Sequence, residues 1–544
     1  MRFAFRGLEL HGREMWDRAR IVQSLSFMRA HGLNALILHE SDLVHQVVYP
    51  RAYFDPYALW KDAPSRRGEN AIFNNRAYLE HVLRLARDAG IAVWLNVKEI
   101  GFSDEVLALR PDLVKDGAVC PSEPFWTDYV GYKTAELFSD FPLLEGLIVS
   151  FGSQESRASR SQNRCRCELC RREPLADWYL RLIRALHAPI AAHGKRLAVR
   201  DFAYKPEDHA PLVDAMRRSP ADTIFCIKSM PHDFYITFPD NPAIGAVARD
   251  QWIEYDVMGQ FFGWGVFPCL VIDDTRARLD HAERNGVRGA IFRIEWERIN
   301  DLCSFDNLSE VNLIAAAALA RGDMIDATAA CRQWLASKGW KPDAAPWLAA
   351  TLSRTLSIVR KAAYIGGFVF ADNSMLPRSV KRAWWGMLER DSLSAWDPAR
   401  AADLSIDRER MVRFLREKED ALRETKALLA HVDVGDATLE SEFHAWIRSQ
   451  FAHYETWVRG LYLCARVCLY ARWIETARDG LSANDLRDFE DAIGALEAFA
   501  AEVAPLWDDT SISHHVPMMI DHRRASDVAR EARSIVSALA LPGE

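Results

Sequence analysis

The rhythm of apolar and polar positions changes once along this chain. Through the first 300 residues, short β-like apolar runs recur at 3–10, 34–39, 92–98, 146–151, 196–202, 223–229, 252–257 and 289–294. Between them lie segments with apolar residues at helical spacing, such as 77–89, 125–138 and 175–192. Eight strand–helix units in about 300 residues match the count and size of a (β/α)8 barrel. An open doubly wound sheet is the alternative, but no G-x-G-x-x-G follows the first run. Beyond about Asp301 the strand rhythm stops. The runs 307–320, 405–431 and 440–478 read as long helices, with Gly480 at a helix C-cap and Ser482-Ala-Asn-Asp485 as a capping box. The pattern predicts a TIM barrel over 1–300 and an all-α region over 301–544, packed on the barrel or on a second subunit.

Composition narrows the class. With 49% hydrophobic and 26% charged residues the chain reads as globular, and nothing in it is low-complexity. A net charge of −8 without a dense Lys/Arg stripe argues against nucleic acid. No apolar window is long enough for a membrane span, and no secretory leader is visible at the start. Ten cysteines in 544 residues are not a disulfide framework, so a reducing cytoplasm is expected.

In a (β/α)8 barrel the chemistry sits at the C-terminal ends of the strands. Those ends offer His39 and Glu40; Asn96, Lys98 and Glu99; Gln154 and Glu155; Arg200, Asp201 and Tyr204; Lys228, His232 and Asp233; Glu254, Asp256 and Gln260; and Arg293, Glu295 and Glu297. Carboxylates dominate, and Trp94, Trp126, Phe234, Trp264 and Trp296 lie among them. Glycoside hydrolysis needs such a set: one protonated carboxyl, one carboxylate, and flat surfaces for sugar rings. Buried cations such as Arg200 and Lys228 imply either an anionic ligand or a carboxylate partner within the protein. For Arg200 the internal partner would be Asp201 or Glu155, and for Lys228 it would be Asp233.

Several blocks carry a resemblance. These are Y-L-E-H-V-L-R-L-A-R-D-A-G-I-A-V-W-L-N (78–96), F-W-T-D-Y-V-G-Y-K-T-A-E-L-F (125–138), I-K-S-M-P-H-D-F (227–234) and the run 306–321. Over residues 70 to 380 the chain resembles family 67 glycoside hydrolases, the α-glucuronidases. The resemblance implies that Arg200 and Lys228 bind a uronic acid carboxylate. It makes Glu155 the general acid and Asp233 the base that activates water, with inversion. The two carboxyl groups would then lie roughly 6.5–9.5 Å apart. Where the family has a second carboxylate near strand 7, this chain has Gln260, so Asp233 acts alone or Glu254 or Asp256 takes over. The family's N-terminal β domain has no counterpart here. Tyr204, Glu40, Lys98, Gln260, Trp264 and Trp296 complete the expected substrate-binding set. No cofactor is required, and a homodimer through the helical region is expected by analogy. Two alternatives stay open: another barrel glycosidase of the hexosaminidase kind, and a non-catalytic carbohydrate-binding protein.

Cys165-Arg-Cys167-Glu-Leu-Cys170 places three thiols within six residues, and Cys120 lies in the preceding strand–loop unit. Four cysteines would make a structural zinc site. Free thiols packed in a loop are the other reading. His514, His515, Asp521 and His522 read as a solvated loop, and the tryptophans of the helical region (Trp384, Trp385, Trp446, Trp457, Trp473) as core or dimer contacts.

Overall fold

A computed structural model of the chain describes residues 2–40, 43–48, 50–54, 67–153, 155–161, 164–295, 302–476 and 481–540. Gln154, Trp296, Glu297 and Gly480 lie outside these.

Eight parallel strands close a barrel: β1 (Phe5–His11), β2 (Ala35–His39), β3 (Ala92–Lys98), β4 (Leu144–Phe151), β5 (Arg196–Asp201), β6 (Ile224–Lys228), β7 (Gln251–Asp256) and β8 (Gly289–Arg293). Each pairs with its sequence neighbours, and β1 closes on β8 with Phe5 opposite Gly289. Seven of the connections carry a helix: α1 (Arg18–His31), α2 (Arg67–Asp88), α3 (Phe125–Asp140), α4 (Leu175–Ala192), α5 (Pro206–Arg218), α6 (Ile272–Arg284), and α7 (Glu310–Arg321) after β8. Sequence spacing implies eight such units, but residues 229–250 form turns instead of a helix between β6 and β7.

Local chemistry explains the helices. In α1 the Asp17 side chain accepts from the backbone N–H of Ala19, and Gly32 ends the helix at φ 67°. In α4, Trp178, Leu182, Ile183, Leu186 and Ile190 recur three or four apart and are buried.

The strands explain the site. With a two-residue period, one set of side chains points into the barrel. Near the N-terminal end that set is apolar: Phe5, Ala35, Ile37, Trp94, Ile148, Ala198, Ile224, Cys226, Trp252 and Ile291 form one cluster. Phe5 stacks on Trp252 at 3.6 Å, and the Trp94 and Trp252 rings meet edge-on. A Cβ on Gly146 would lie 2.2 Å from the Trp94 ring, and one on Gly289 2.4 Å from Trp252, so glycine is what admits these indoles. Trp94 is therefore the barrel's plug and not a sugar platform. Further along the strands the inward positions turn polar: Glu9, His39, Asn96, Ser150, Arg200, Lys228, Glu254 and Arg293, all buried.

The rest of the chain is helical, with long helices α8 (Arg408–Val434), α9 (Ser441–Thr476), α10 (Ala483–Val503) and α11 (His522–Ala540). The capping box at Ser482 and Asp485 forms and starts α10. This region packs on its own barrel. Tyr364 donates its hydroxyl to the carbonyl of Phe261 at 2.8 Å, and Ser374 Oγ bridges the carbonyl of Gln260 and the N–H of Gly263 at 2.9 Å each. Segment 366–391 thereby lies over the C-terminal mouth of the barrel.

Candidate active site

A cavity of about 1090 Å³ opens where the polar strand ends meet this helical segment. It is at the upper end of the roughly 300–1,000 Å³ common for ligand sites, so it accommodates more than a small metabolite. The barrel contributes His11, His39, Lys98, Glu155, Arg200, Phe202, Tyr204, His232, Asp233, Gln260, Trp264 and Arg293 to its wall.

On the barrel side two carboxylates face the cavity, each held by an ammonium group. Glu155 Oε2 lies 2.7 Å from Lys98 Nζ, and Asp233 Oδ1 lies 3.0 Å from Lys228 Nζ. Burial pushes the Glu155 carboxyl up, but Lys98, Lys228 and Arg200 outweigh it and hold it below its ordinary range. Asp233 behaves likewise: burial raises it, and Lys228 with Arg293 brings it down. Lys228 itself is lowered to about 8 by burial, against the pull of Asp233. Both carboxyl groups are thus ionised at neutral pH in the free protein. The side chain of Glu155 is 43% exposed and that of Asp233 16%.

Arg200 has a different partner from those expected for it. Its Nε donates to both oxygens of Glu254, at 2.7 and 2.8 Å, with both side chains almost wholly buried. Glu254 does not reach the cavity wall. It neutralises Arg200, and that pairing replaces the catalytic role expected for it. Asp201 pairs with His209 at 2.7 Å, behind the site. Asp256 accepts from the N–H groups of Met258, Gly259 and Gln260, which fixes the turn that presents Gln260. Glu40 accepts from the indole of Trp16 and lies outside the cavity lining. Trp126 is sealed in the core, and Trp264 forms buried wall. Trp296 lies outside the described residues.

A hydrogen-bonded floor ties five strands together. Glu9 contacts His39 Nδ1 at 3.0 Å and accepts from Asn96. Ser150 donates to Asn96, and Arg200 donates to Ser150. Burial, with Arg200 and Lys98 nearby, keeps the His39 imidazole neutral. Ligand atoms of Glu9, His11 and His39 lie within 4.8 Å of one another. The surrounding lysine and arginine side chains make this a poor place for a cation.

Arg293 stands apart. It is 5% exposed, its Nε donates to the carbonyl of Glu295, and its Nη2 has no hydrogen-bond partner among the described residues. Gln260 Oε1 and His232 Nδ1 are likewise buried in the wall without partners there. Such orphans are costly unless a ligand satisfies them. Backbone strain gathers at the same place. Of the five non-glycine residues at positive φ among the described residues, His232, Trp264 and Asn373 line the cavity and Ser374 adjoins it.

The helical segment supplies what strand-end reasoning misses. Asp372, Asn373, Arg378, Arg382, Trp385, Arg390, Asp391 and Arg524 complete the wall. Trp385, expected as a core or dimer contact, is half-buried at the cavity with Arg382 over its ring at 4.0 Å; Trp384 is core. Asp391, bonded by Tyr235 and Arg390, is raised to about 6 by burial. The 514–522 segment is no free loop: His515 is buried, and Met518 and Arg524 flank the cavity. His11 and Phe202 were also missed, although both follow the strand-end rule. The Phe202 ring lies under Lys228 at 3.6 Å and near Lys98 and Arg200. Seven cations against four carboxylates line the cavity, so a chain of net charge −8 carries a locally basic site.

No family model matches the chain, and no curated protein matches it by sequence, so the resemblance to family 67 finds no support there. Solved structures do match. A GH138 enzyme targeting pectin rhamnogalacturonan II aligns with 99% of this chain and 83% of its own at TM-score 0.65 and 10% identity. The chain shares that fold, barrel and helical region together. The β-N-acetylhexosaminidase of Bacteroides fragilis aligns over 62% of this chain and 72% of its own, at TM-score 0.41 and 11% identity. The GH20 β-N-acetylhexosaminidase of Streptomyces coelicolor A3(2) does so over 64% and 69%, at TM-score 0.38 and 16% identity. Those two likenesses are too slight to bear on the site.

Proposed function

We propose that this chain is an exo-acting glycoside hydrolase that removes an α-linked uronic acid from a small oligosaccharide with inversion. The observation that carries the reading is the buried Arg293 guanidinium in the wall of the same cavity as Glu155 and Asp233, with no carboxylate partner and its Nη2 unbonded among the described residues. It supports an anionic ligand, and the orphaned Gln260 and His232 atoms in the wall of the same cavity support a hydroxylated one. Arg293 replaces Arg200 as the main anchor for the sugar carboxylate, because Arg200 is committed to Glu254. The fold shared with a GH138 enzyme that targets pectin rhamnogalacturonan II adds pectic fragments to the substrates worth testing.

In this reading Glu155 protonates the glycosidic oxygen, and Asp233 removes a proton from the water attacking the opposite face of the ring. Both are ionised in the free site, so the acid must acquire its proton on binding. The substrate's own carboxylate supplies the means. Its negative charge in the cavity offsets the cations that hold Glu155 down, and burial then drives that carboxyl up. The substrate is an imported oligosaccharide, and the helical region pairs two copies, which light scattering tests.

The deciding experiment follows uronic acid release by NMR from reduced aldouronic and pectic oligosaccharides, comparing wild type with Glu155→Gln and Asp233→Asn. Release by wild type with the β anomer formed first, lost in both variants, is the expected result. Turnover of neutral glycosides alone overturns the substrate assignment. Sugar binding without turnover of any glycoside overturns catalysis.

A further inference from the structure

Away from the cavity, the fold gathers four thiols. We propose that Cys120, Cys165, Cys167 and Cys170 hold one structural zinc ion that clips the loop before α3 to the loop before α4.

The Sγ atoms of all four lie within 4.8 Å of one another, with Cys120 at 3.4 Å from Cys167 and 3.6 Å from Cys170. A tetrahedral zinc with Zn–S near 2.3 Å needs sulfur–sulfur edges of about 3.8 Å, so small shifts close the site.

The competing reading, thiols packed as small hydrophobes, fits poorly. The cluster is separate from the main core, and among the described residues only Ala118 adds apolar contact to the four cysteines. Burial there offers little hydrophobic return. A metal also explains the surroundings. The described residues of the segment 152–167 form no helix or strand, and they carry Glu155. Cys120 is anchored independently: its carbonyl accepts from the Trp126 indole at 2.8 Å, and its N–H donates to the carbonyl of Leu113 at 2.8 Å. The ion would fasten the Glu155 loop to that anchored point. On binding, each thiol gives its proton to solvent, four Zn–S bonds form, and no oxidation occurs.

The test needs no substrate, so it succeeds or fails apart from the glycosidase reading. Untagged protein purified without chelator is analysed for metal by plasma mass spectrometry, then reconstituted with cobalt. About one zinc per chain is expected, with the visible d–d bands of tetrahedral cobalt thiolate. Cys167→Ser and Cys170→Ser should hold about a tenth of the wild-type zinc or less, and Cys331→Ala, in a distant helix, should keep it. Protease nicking within residues 152–167 should increase when a chelator strips the metal. Metal-free wild type whose four thiols all react with an alkylating probe would overturn the proposal. So would an intact mass showing disulfides among them.

Discussion

Arg293→Gln tests the reading of the cavity most directly, because catalysis and stability should move in opposite directions. Arg293 is buried, and no carboxylate lies in ion-pair contact with it among the described residues. If it receives the sugar carboxylate, the variant loses a charge-assisted hydrogen bond worth about 1.5–3 kcal/mol. At about 1.36 kcal/mol per decade, kcat/KM on a uronic acid oligosaccharide falls roughly 10- to 150-fold. The same substrate as its methyl ester has no charge to lose, so its kcat/KM should fall by less than about threefold. Stability should not suffer, because a desolvated cation has been removed. The urea midpoint should hold or rise, with a free-energy change within about 1 kcal/mol or in favour of the variant. Steady-state kinetics on acid and ester, with urea unfolding of both proteins, measure all of this. Equal losses on acid and ester, or destabilisation by several kcal/mol, would refute the anchor role.

Glu254→Gln should behave in the opposite way. It strands the Arg200 charge in the barrel and costs about 3–5 kcal/mol, read from chemical unfolding. If substrate charge raises the acid, the basic limb of kcat, which reports the complex, should lie at higher pH than that of kcat/KM, which reports free enzyme. Coincident limbs would count against Glu155 as acid. His209 is raised by its contact with Asp201, more than burial lowers it. Its stabilisation is full below the ordinary value of 6.5 and fades as pH rises through the raised value. His209→Gln should therefore cost more stability at pH 5.5 than at pH 8.5, as thermal melts at the two values would show.

Much of this was legible in the order of residues. The recurrence of short apolar runs located all eight strands to within about two positions, and their ends pointed to Lys98, Glu155, Arg200, Lys228, Asp233, Gln260 and Arg293. The same rule applied to β1 would have given His11. Partners were not legible. Nothing local says that Arg200 meets Glu254, because the two lie on β5 and β7 and only barrel closure aligns them. Nor does local pattern distinguish Trp94, wedged against Gly146, from an indole that faces sugar.

The sequence alone determined the barrel, its polar C-terminal end and the sudden change to helix, because backbone periodicity and side-chain solubility are local properties. Tertiary structure decided which charges are neutralised and which are left for a ligand. It also drew Trp385, Arg390 and Asp391 over the mouth and brought Cys120 to the other three thiols. These facts depend on distance and burial between residues far apart in the chain, where Coulomb energy and desolvation act and sequence spacing carries no information.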